Sequence, residues 1–535
     1  MIRTVCCRIK PYIQPFERKL ALAELASLAG TQPKAVSTSS PEPLDFEVST
    51  KVTTKDLANR LSYWESLTDG EKRYTAQVLR ESTANLARNG VKAAPDSQLI
   101  LFTKEIPLPN RRVLRYGPHG IHEYRGKFFP QLVRALINMA GVKERGVIGD
   151  PMCGSGTTLV EATLSSCQAL GLDINPLSVL MARTKCALLA VNPRQVEESY
   201  SAVRNGLLKC SSVGSIKRRY FSSLPVTDQK YLRSWFSDRV LLGLDHIQAV
   251  VSTVSHPIIR DLMVLALSNI IREVSWQKDD DLRVRKEIRE DDESIEPIDT
   301  FLAELQHSVR MLLTFLHQNQ NVVVGKHDVL EGDAREATKV WGKWIGKIDA
   351  IITSPPYAMA LPYLDTDRLS LCYLGLLPRN LHRQWDRAMI GNREVSDKEK
   401  RQYWETFQNS KFELPTSIVR LVEQVYKLNS NFQVGFRRRN LPSLLAKYFL
   451  DMRRVLLEAK RLLKRGGHAF FVVGDNHTIA GGARVEIHTT EFSAEIAASV
   501  GFEVREQISM EMLVPRDIFR KNAVKSEKIL WLRRK

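Results

Sequence analysis

The sequence predicts an α/β protein built on a mostly parallel sheet with an antiparallel edge, and three stretches of its 535 residues predict it. Val147-Ile-Gly-Asp150 reads as a short buried strand that breaks into the turn Pro151-Met-Cys-Gly-Ser-Gly156 and then a helix. Ala169-Leu-Gly-Leu-Asp173 reads as a second apolar strand ending in a carboxylate. Asp349-Ala-Ile-Ile-Thr353 reads as a third, which stops in Ser354-Pro-Pro-Tyr357. Apolar strands of this kind, alternating with helical periods such as 449–463, belong to sheets covered on both faces.

Composition narrows the partner. With 78 Lys and Arg against 60 Asp and Glu the net charge is +18, an excess that opposes compactness and argues for a polyanion, nucleic acid ahead of an anionic membrane. The seven cysteines (6, 7, 153, 167, 186, 210 and 372) lack metal-ligand spacing, so no metal is expected, and scattered thiols suit a reducing cytoplasm. No apolar run approaches the ~20 residues that span a bilayer, so no membrane partner is expected.

In chain order, residues 1–110 read as a helical accessory region. Helical periods at 17–29 and 54–89 flank a Ser/Thr/Pro-rich linker at 33–44. Tyr63, Trp64 and Tyr74 are expected on the second period, in a core rather than stacked on bases. Residues 111–190 form the first half of the sheet domain. There Lys127-Phe-Phe-Pro130 precedes a helix at 131–139, where two aromatics alone would read as a hydrophobic staple. Gly154 and Gly156 allow close backbone approach to a ligand at a strand's carboxyl end. A phosphate P-loop would need Lys where this chain has Ser155. Thr157 and Thr158 either cap the following helix or meet the ligand. Asp173 is placed to grip ribose hydroxyls.

Residues 191–320 interrupt the fold as a helical insertion, with helices over 241–274 broken at His256-Pro257 and a mixed-charge run at 279–293. It either reads nucleic acid or caps the ligand pocket. Residues 321–535 complete the sheet domain. Val322–Val324 is expected as the next strand, with Asp333-Ala334 in the loop that follows. The basic segment 378–442 interleaves Arg383, Arg387 and Arg437-Arg-Arg439 with Trp385, Tyr403 and Trp404. That mixture suits phosphate contact and base stacking, and the alternative is a solvated face. Gly466-Gly467 should stop the 449–463 helix before a strand at 468–476, and a helix at 494–499 and two terminal strands close the fold.

Asp150-Pro-Met-Cys-Gly-Ser-Gly-Thr-Thr158 followed by Thr353-Ser-Pro-Pro-Tyr357 resembles the amino-methylating DNA methyltransferases that use S-adenosylmethionine. The serine form is most similar to those that make N4-methylcytosine. The likeness covers residues 115–190 and 320–535. It implies a Rossmann-like class I methyltransferase fold with a seven-stranded sheet, S-adenosylmethionine as cofactor and double-stranded DNA as partner. It is compatible with a cognate restriction or defence-system partner. It also implies that Lys127, Phe128 and Phe129 pack on the methionine end of the cofactor. Pro151, Cys153, Gly154, Ser155, Gly156, Thr157 and Thr158 would surround it, and Asp150 would orient that turn or meet the cofactor's ammonium. Asp173 with Ile174 would lie at the ribose, and Asp333 with Ala334 at the adenine. The cofactor turn precedes the catalytic loop here, whereas many enzymes with this glycine motif run the other way, so the likeness does not locate target recognition.

The chemistry expected of Ser354-Pro-Pro-Tyr357 follows from its residue types. Pro355 and Pro356 remove two backbone donors and leave carbonyls, while Ser354 adds a hydroxyl and Tyr357 a flat ring. A flipped base with an exocyclic amine needs such a set. Ser354 Oγ and the Pro355 carbonyl would take the two amine hydrogens, and Tyr357 would stack on the base. Three readings compete: N4-cytosine methylation, amino methylation of adenine or of RNA, and nucleic-acid binding without catalysis.

Overall fold

The computed structural model describes residues 2–36, 42–93, 107–124, 126, 129–209, 219–278, 286–287, 295–358, 363–392, 395–430, 435–511 and 526–535. The central sheet has seven strands: β1 (Val147–Asp150), β2 (Gln168–Asp173), β3 (His327–Glu331), β4 (Ile348–Thr353), β5 (Leu463–Gly474), β6 (Phe502–Glu511) and β7 (Ser526–Arg534). Their order is β6-β7-β5-β4-β1-β2-β3. The five strands from β5 to β3 run parallel, and β7 is antiparallel to both β5 and β6. Ile348, Ala350, Ile351 and Ile352 of β4 are completely buried, as an unbroken apolar strand covered on both faces must be. From β1 the chain winds outward through β2 and β3, then returns to β4 on the other flank of β1. That reversal opens a crevice at the carboxyl ends of β1 and β4, where ligands of such sheets bind.

The N-terminal region is not the helical region expected. Five strands in the order Lys34–Ala35, Asp45–Thr50, Arg3–Ile9, Trp64–Thr68 and Lys72–Tyr74 form an antiparallel sheet beside three helices, Pro15–Ala29, Thr54–Arg60 and Ala76–Ala93. Arg3–Ile9 buries only Val5, Cys7 and Ile9, a period-two pattern masked by the charged residues around it. Tyr63 and Trp64 are core, as expected, but they lead a strand rather than ride a helix, and Tyr74 is exposed on an edge strand.

A buried polar chain joins this region to the central sheet domain. Lys10 Nζ and the Gln77 and Gln131 amides donate to Glu81 at 2.7, 3.0 and 2.9 Å. Gln77 also donates to Tyr116 Oη (2.8 Å), whose hydroxyl donates to Glu161 (3.0 Å). Glu161 is met by His119 Nε2 and Arg134 Nε, each at 2.8 Å. Burial works to raise the pKa of Glu161, but Arg134 and His119 outweigh it and hold it down at about 2. Removing one member would strand a buried charge.

Two other elements differ from expectation. Residues 322–325 do not form a strand, because they first cross the end of the helix Thr157–Leu164: Gly325 N donates to Thr163 O (2.8 Å) and Ser166 Oγ to Val323 O (2.6 Å). β5 starts at Leu463 and runs through Gly466-Gly467 with a register shift, after a helix that spans Phe436–Leu462.

Two insertions rise from the sheet. Between β2 and β3, Pro193–Lys209, Asp238–Val251, Pro257–Glu273 and Pro297–Gln318 pack around Leu244, Leu262, Leu267, Phe301 and Leu312, with the helix break at His256-Pro257 as expected. Between β4 and β5 come Tyr363–Tyr373, Arg379–Ala388, Asp397–Ser410, Thr416–Ser430 and Phe436–Leu462. Among the described residues no helix is long and apolar enough to cross a membrane.

Candidate functional site

The carboxyl ends of β1, β2 and β4 and the loop after β3 meet in a cleft open to solvent. It gathers Pro151, Cys153, Gly154, Ser155 and Thr157 from the turn after β1, and Asp173 and Ile174 from the end of β2. Asp333 and Ala334 come from the loop after β3, and Ser354 and Pro356 from the loop after β4. Gly156, Thr158, Asp150, Pro355, Tyr357 and Phe129 are not in its lining. Lys127 and Phe128 lie outside the described residues.

The turn is shaped for backbone approach. Gly154 and Gly156 have φ of +48° and +82°, a region costly to side-chain-bearing residues. A Cβ on Gly154 would sit 2.8 Å from the Tyr124 ring, and one on Gly156 would sit 2.7 Å from Ala182 Cα. Asp173 pins the turn by accepting from Gly154 N and Asn175 N, both at 2.8 Å, and burial lifts its pKa to about 6. Asp150 orients the turn from behind, its Oδ1 accepting from Met152 N (3.2 Å), and burial lifts it to about 7. Thr158 neither caps the helix nor faces the cleft. Gly156 holds the cap position, and Thr158 Oγ1 donates to Ile352 O (3.2 Å), stitching the helix to β4. Phe129 does not line the cleft; the Arg112 guanidinium lies over its ring at 4.7 Å.

Reading the sequence missed part of the wall. Tyr124, Met152, Asn175, Arg335, Ala388, Met389 and Ile390 also line the cleft. Arg335 Nε donates to both Asp333 oxygens (2.9 and 3.0 Å), and its Nη1 reaches Asp451 (3.0 Å) and its Nη2 Ala388 O (2.7 Å). Burial works to raise the pKa of Asp333, but Arg335 prevails and holds it below the usual carboxylate range. Arg335 follows Asp333 by two residues and was in plain view; nothing in the sequence signals that 388–390 fold back onto it.

The loop after β4 is held from three sides. Ser354 Oγ donates to Val472 O of β5 (3.1 Å), Tyr448 Oη donates to Pro356 O (3.0 Å), and Asn476 Nδ2 donates to Ala358 O (2.8 Å). The Tyr357 hydroxyl donates to Glu527. Among the described residues nothing donates to the Pro355 carbonyl. The Ser354 hydroxyl has its one hydrogen on Val472, so toward a ligand it can only accept.

Of the expected nucleic-acid contacts, Arg383 is exposed, as are Arg438 and Arg439 on the first turn of Phe436–Leu462. Arg387 pairs with Glu399 at 3.4 Å. The side chain of Arg437 lies outside the described residues. The interleaved tryptophans turn inward, contrary to a stacking role: Trp404 stacks on Tyr426 (4.3 Å between centroids), and Trp385 packs on the core of the other insertion. Among the described residues no group of three His, Cys, Asp or Glu is arranged to hold a metal.

The residues present fit S-adenosylmethionine: two glycines bare the backbone on one wall, Asp173 and Asn175 form a polar corner, and Met389 and Ile390 supply an apolar face. The family model described as UPF0020, RMKL-like, methyltransferase domain, matches residues 122–188. The chain is similar to the type II methyltransferase M.BsoBI of Geobacillus stearothermophilus, 26% identical over 445 residues that cover 76% of this chain and 84% of that protein. It is similar to the type II methyltransferase M.MvaI of Kocuria varians, 23% identical over 377 residues, 68% of this chain and 77% of that one. A tRNA (guanine(10)-N2)-dimethyltransferase of Methanocaldococcus jannaschii matches only 50 residues, 44% identical, 9% of this chain and 14% of that one. Sheet order, glycine cradle and the breadth of the type II match converge on an S-adenosylmethionine-dependent methyltransferase, similar over most of its length to the type II methyltransferases.

Proposed function

We propose that this methyltransferase modifies the exocyclic N4 amine of cytosine, flipped out of double-stranded DNA at a specific sequence. The observation that carries the reading is the acceptor pattern of the catalytic loop. Pro356 O is already taken by Tyr448, whereas Ser354 Oγ and Pro355 O are left to accept. An amine presents two hydrogens, and this pair of acceptors matches them.

An exocyclic amine is a poor nucleophile because its lone pair is delocalised into the ring. By accepting both hydrogens, Ser354 Oγ and Pro355 O would favour a geometry that localises the lone pair on nitrogen, and their fixed positions align it. S-adenosylmethionine, when bound, supplies an electrophilic methyl group on a sulfonium. No strong base is required of the chain, because the amine proton becomes acidic as nitrogen gains positive charge, and it departs along the same acceptors. Tyr357 would stack on the base. Asp173 and Asn175 would hold the ribose end of the cofactor, the turn at Gly154 its methionine end, and Ala334 with Asp333 its adenine.

On the DNA side, Arg383, Arg438 and Arg439 would contact phosphates, with Arg387 and Arg437 as neighbours. The relatives named type II methyltransferases support this substrate, a cytoplasmic setting and a cognate restriction or defence partner. Nucleoside mass spectrometry on unmodified DNA and on RNA, after incubation with protein and S-adenosylmethionine, tests the reading. N4-methylcytosine in DNA alone is expected; N6-methyladenine, or a mark confined to RNA, would overturn the substrate.

A further inference from the structure

The Tyr357 ring is tied at its far end. Its hydroxyl donates to Glu527 on β7, which lies beyond β5 from β4. The residue of β5 paired with Glu527 is Gly474, and a missing side chain there leaves room for the carboxyl and the tyrosine to meet across the strand. Glu527 is half-buried, and desolvation raises its pKa while the Tyr357 hydroxyl works in the opposite direction. Among the described residues the Glu527 carboxyl has no other hydrogen-bond or ion-pair partner. A half-buried carboxyl with one partner loses part of its hydration, so leaving it unpaired carries a cost.

Pro355 and Pro356 fix the backbone up to Tyr357, but they do not fix its χ1 and χ2. A stacking platform that turned freely would have to be ordered each time a base entered. We infer that Glu527 is a positioning residue for the target base: its carboxyl holds the Tyr357 hydroxyl across β5 and so sets the plane of the ring on which the flipped base stacks. The inference rests on the function proposed above and adds to it a residue 170 positions beyond the catalytic loop.

The test uses the full-length chain and genomic DNA free of cytosine methylation, with methyl incorporation and thermal unfolding read for wild type, E527L, E527Q, Y357F and the E527L/Y357F double variant. E527L and Y357F should each lower kcat about tenfold with KM for S-adenosylmethionine unchanged, as loss of one well-placed hydrogen bond predicts. The double variant should be no slower than either single one, and E527Q, whose amide oxygen still accepts, should recover most of the turnover. Wild-type kcat in E527L, or losses that multiply in the double variant, would overturn the tether. If E527L does not fold, wild-type turnover in Y357F overturns it instead. Absence of product from wild type would overturn the reading of function, whereas product from wild type with full turnover in E527L sinks the tether alone.

Discussion

The two insertions leave the same edge of the same sheet and have opposite characters. The one at 193–318 carries 17 Lys and Arg against 18 Asp and Glu, and its helices close around an apolar core. The one at 363–462 carries 19 against 11 and exposes arginines on two helices. Among the described residues only the second touches both the loop after β4, through Tyr448, and the cleft, through Ala388–Ile390. The difference teaches that the chain's positive excess is not spread over its additions. One insertion is nearly neutral around an apolar core, and the other gathers positive charge beside the cleft, as the proposed contact with DNA requires.

Four measurements would break or sharpen that contrast. Phe301→Ala, inside the neutral insertion, should lower stability by about 4 kcal/mol in denaturant unfolding through the cavity it leaves. It should leave the salt dependence of DNA binding untouched. Ser354→Ala should depress single-turnover methylation by roughly 100-fold while the Kd for S-adenosylmethionine, by calorimetry, stays put. Charge removal at Arg383, Arg438 and Arg439 together should reduce the slope of log K against log salt by about 2 to 3. The same number of arginines removed from the neutral insertion (Arg204, Arg239 and Arg260) should leave the slope unchanged, and an equal loss there would erase the distinction.

The smallest effect is one of pH. The folded pKa values of Asp173 and Asp150 lie above the ordinary carboxylate range, at about 6 and about 7, so their charged forms oppose folding at neutral pH and that cost is relieved as pH falls. Glu161 has the opposite sign: its contribution is present above its ordinary value and lost only as pH falls toward about 2. Between pH 7.5 and 5.5 these two carboxyls should therefore favour the cofactor-free fold, against the opposite contribution of His246, His327, His382 and His468, whose rings burial holds below the usual imidazole range. Asp150→Asn should remove part of the favourable share in thermal unfolding. Affinity for S-adenosylmethionine should fall about fivefold over the same interval, because a protonated Asp173 holds the glycine turn less firmly. Asp173→Asn should flatten that profile.

Much of the cleft's lining could be expected from the chain because its segments are local, although Asp150, Gly156, Pro355 and Tyr357 do not themselves line it. Residues 150–157, Asp173 with Ile174, Asp333 with Ala334 and the loop at 354–357 each carry their meaning within a few positions, and strands β1, β2 and β4 are short apolar runs that advertise themselves. What escaped notice is what depends on distant partners. Arg3–Ile9 is a strand only because Asp45–Thr50 and Trp64–Thr68 flank it. Met389 and Ile390 line the cleft only because Arg335 and Lys447 hold the carbonyls of Ala388 and Met389. Trp385 and Trp404 lie among arginines in sequence, yet their partners are a helical core and Tyr426.

The buried polar chain from Lys10 to Glu161 has a consequence for synthesis. Translation delivers the five-stranded sheet before the central one, but Lys10 waits for Glu81, and Glu24 in the helix Pro15–Ala29 waits for Asn138 (2.8 Å). Glu161, which closes the chain, stands on the helix directly behind the cofactor turn. The N-terminal sheet region thus completes its interior only once residues 116–161 of the methyltransferase domain have been made. An N-terminal fragment released earlier would carry buried charges with no counterparts, and quality control would find it unfinished.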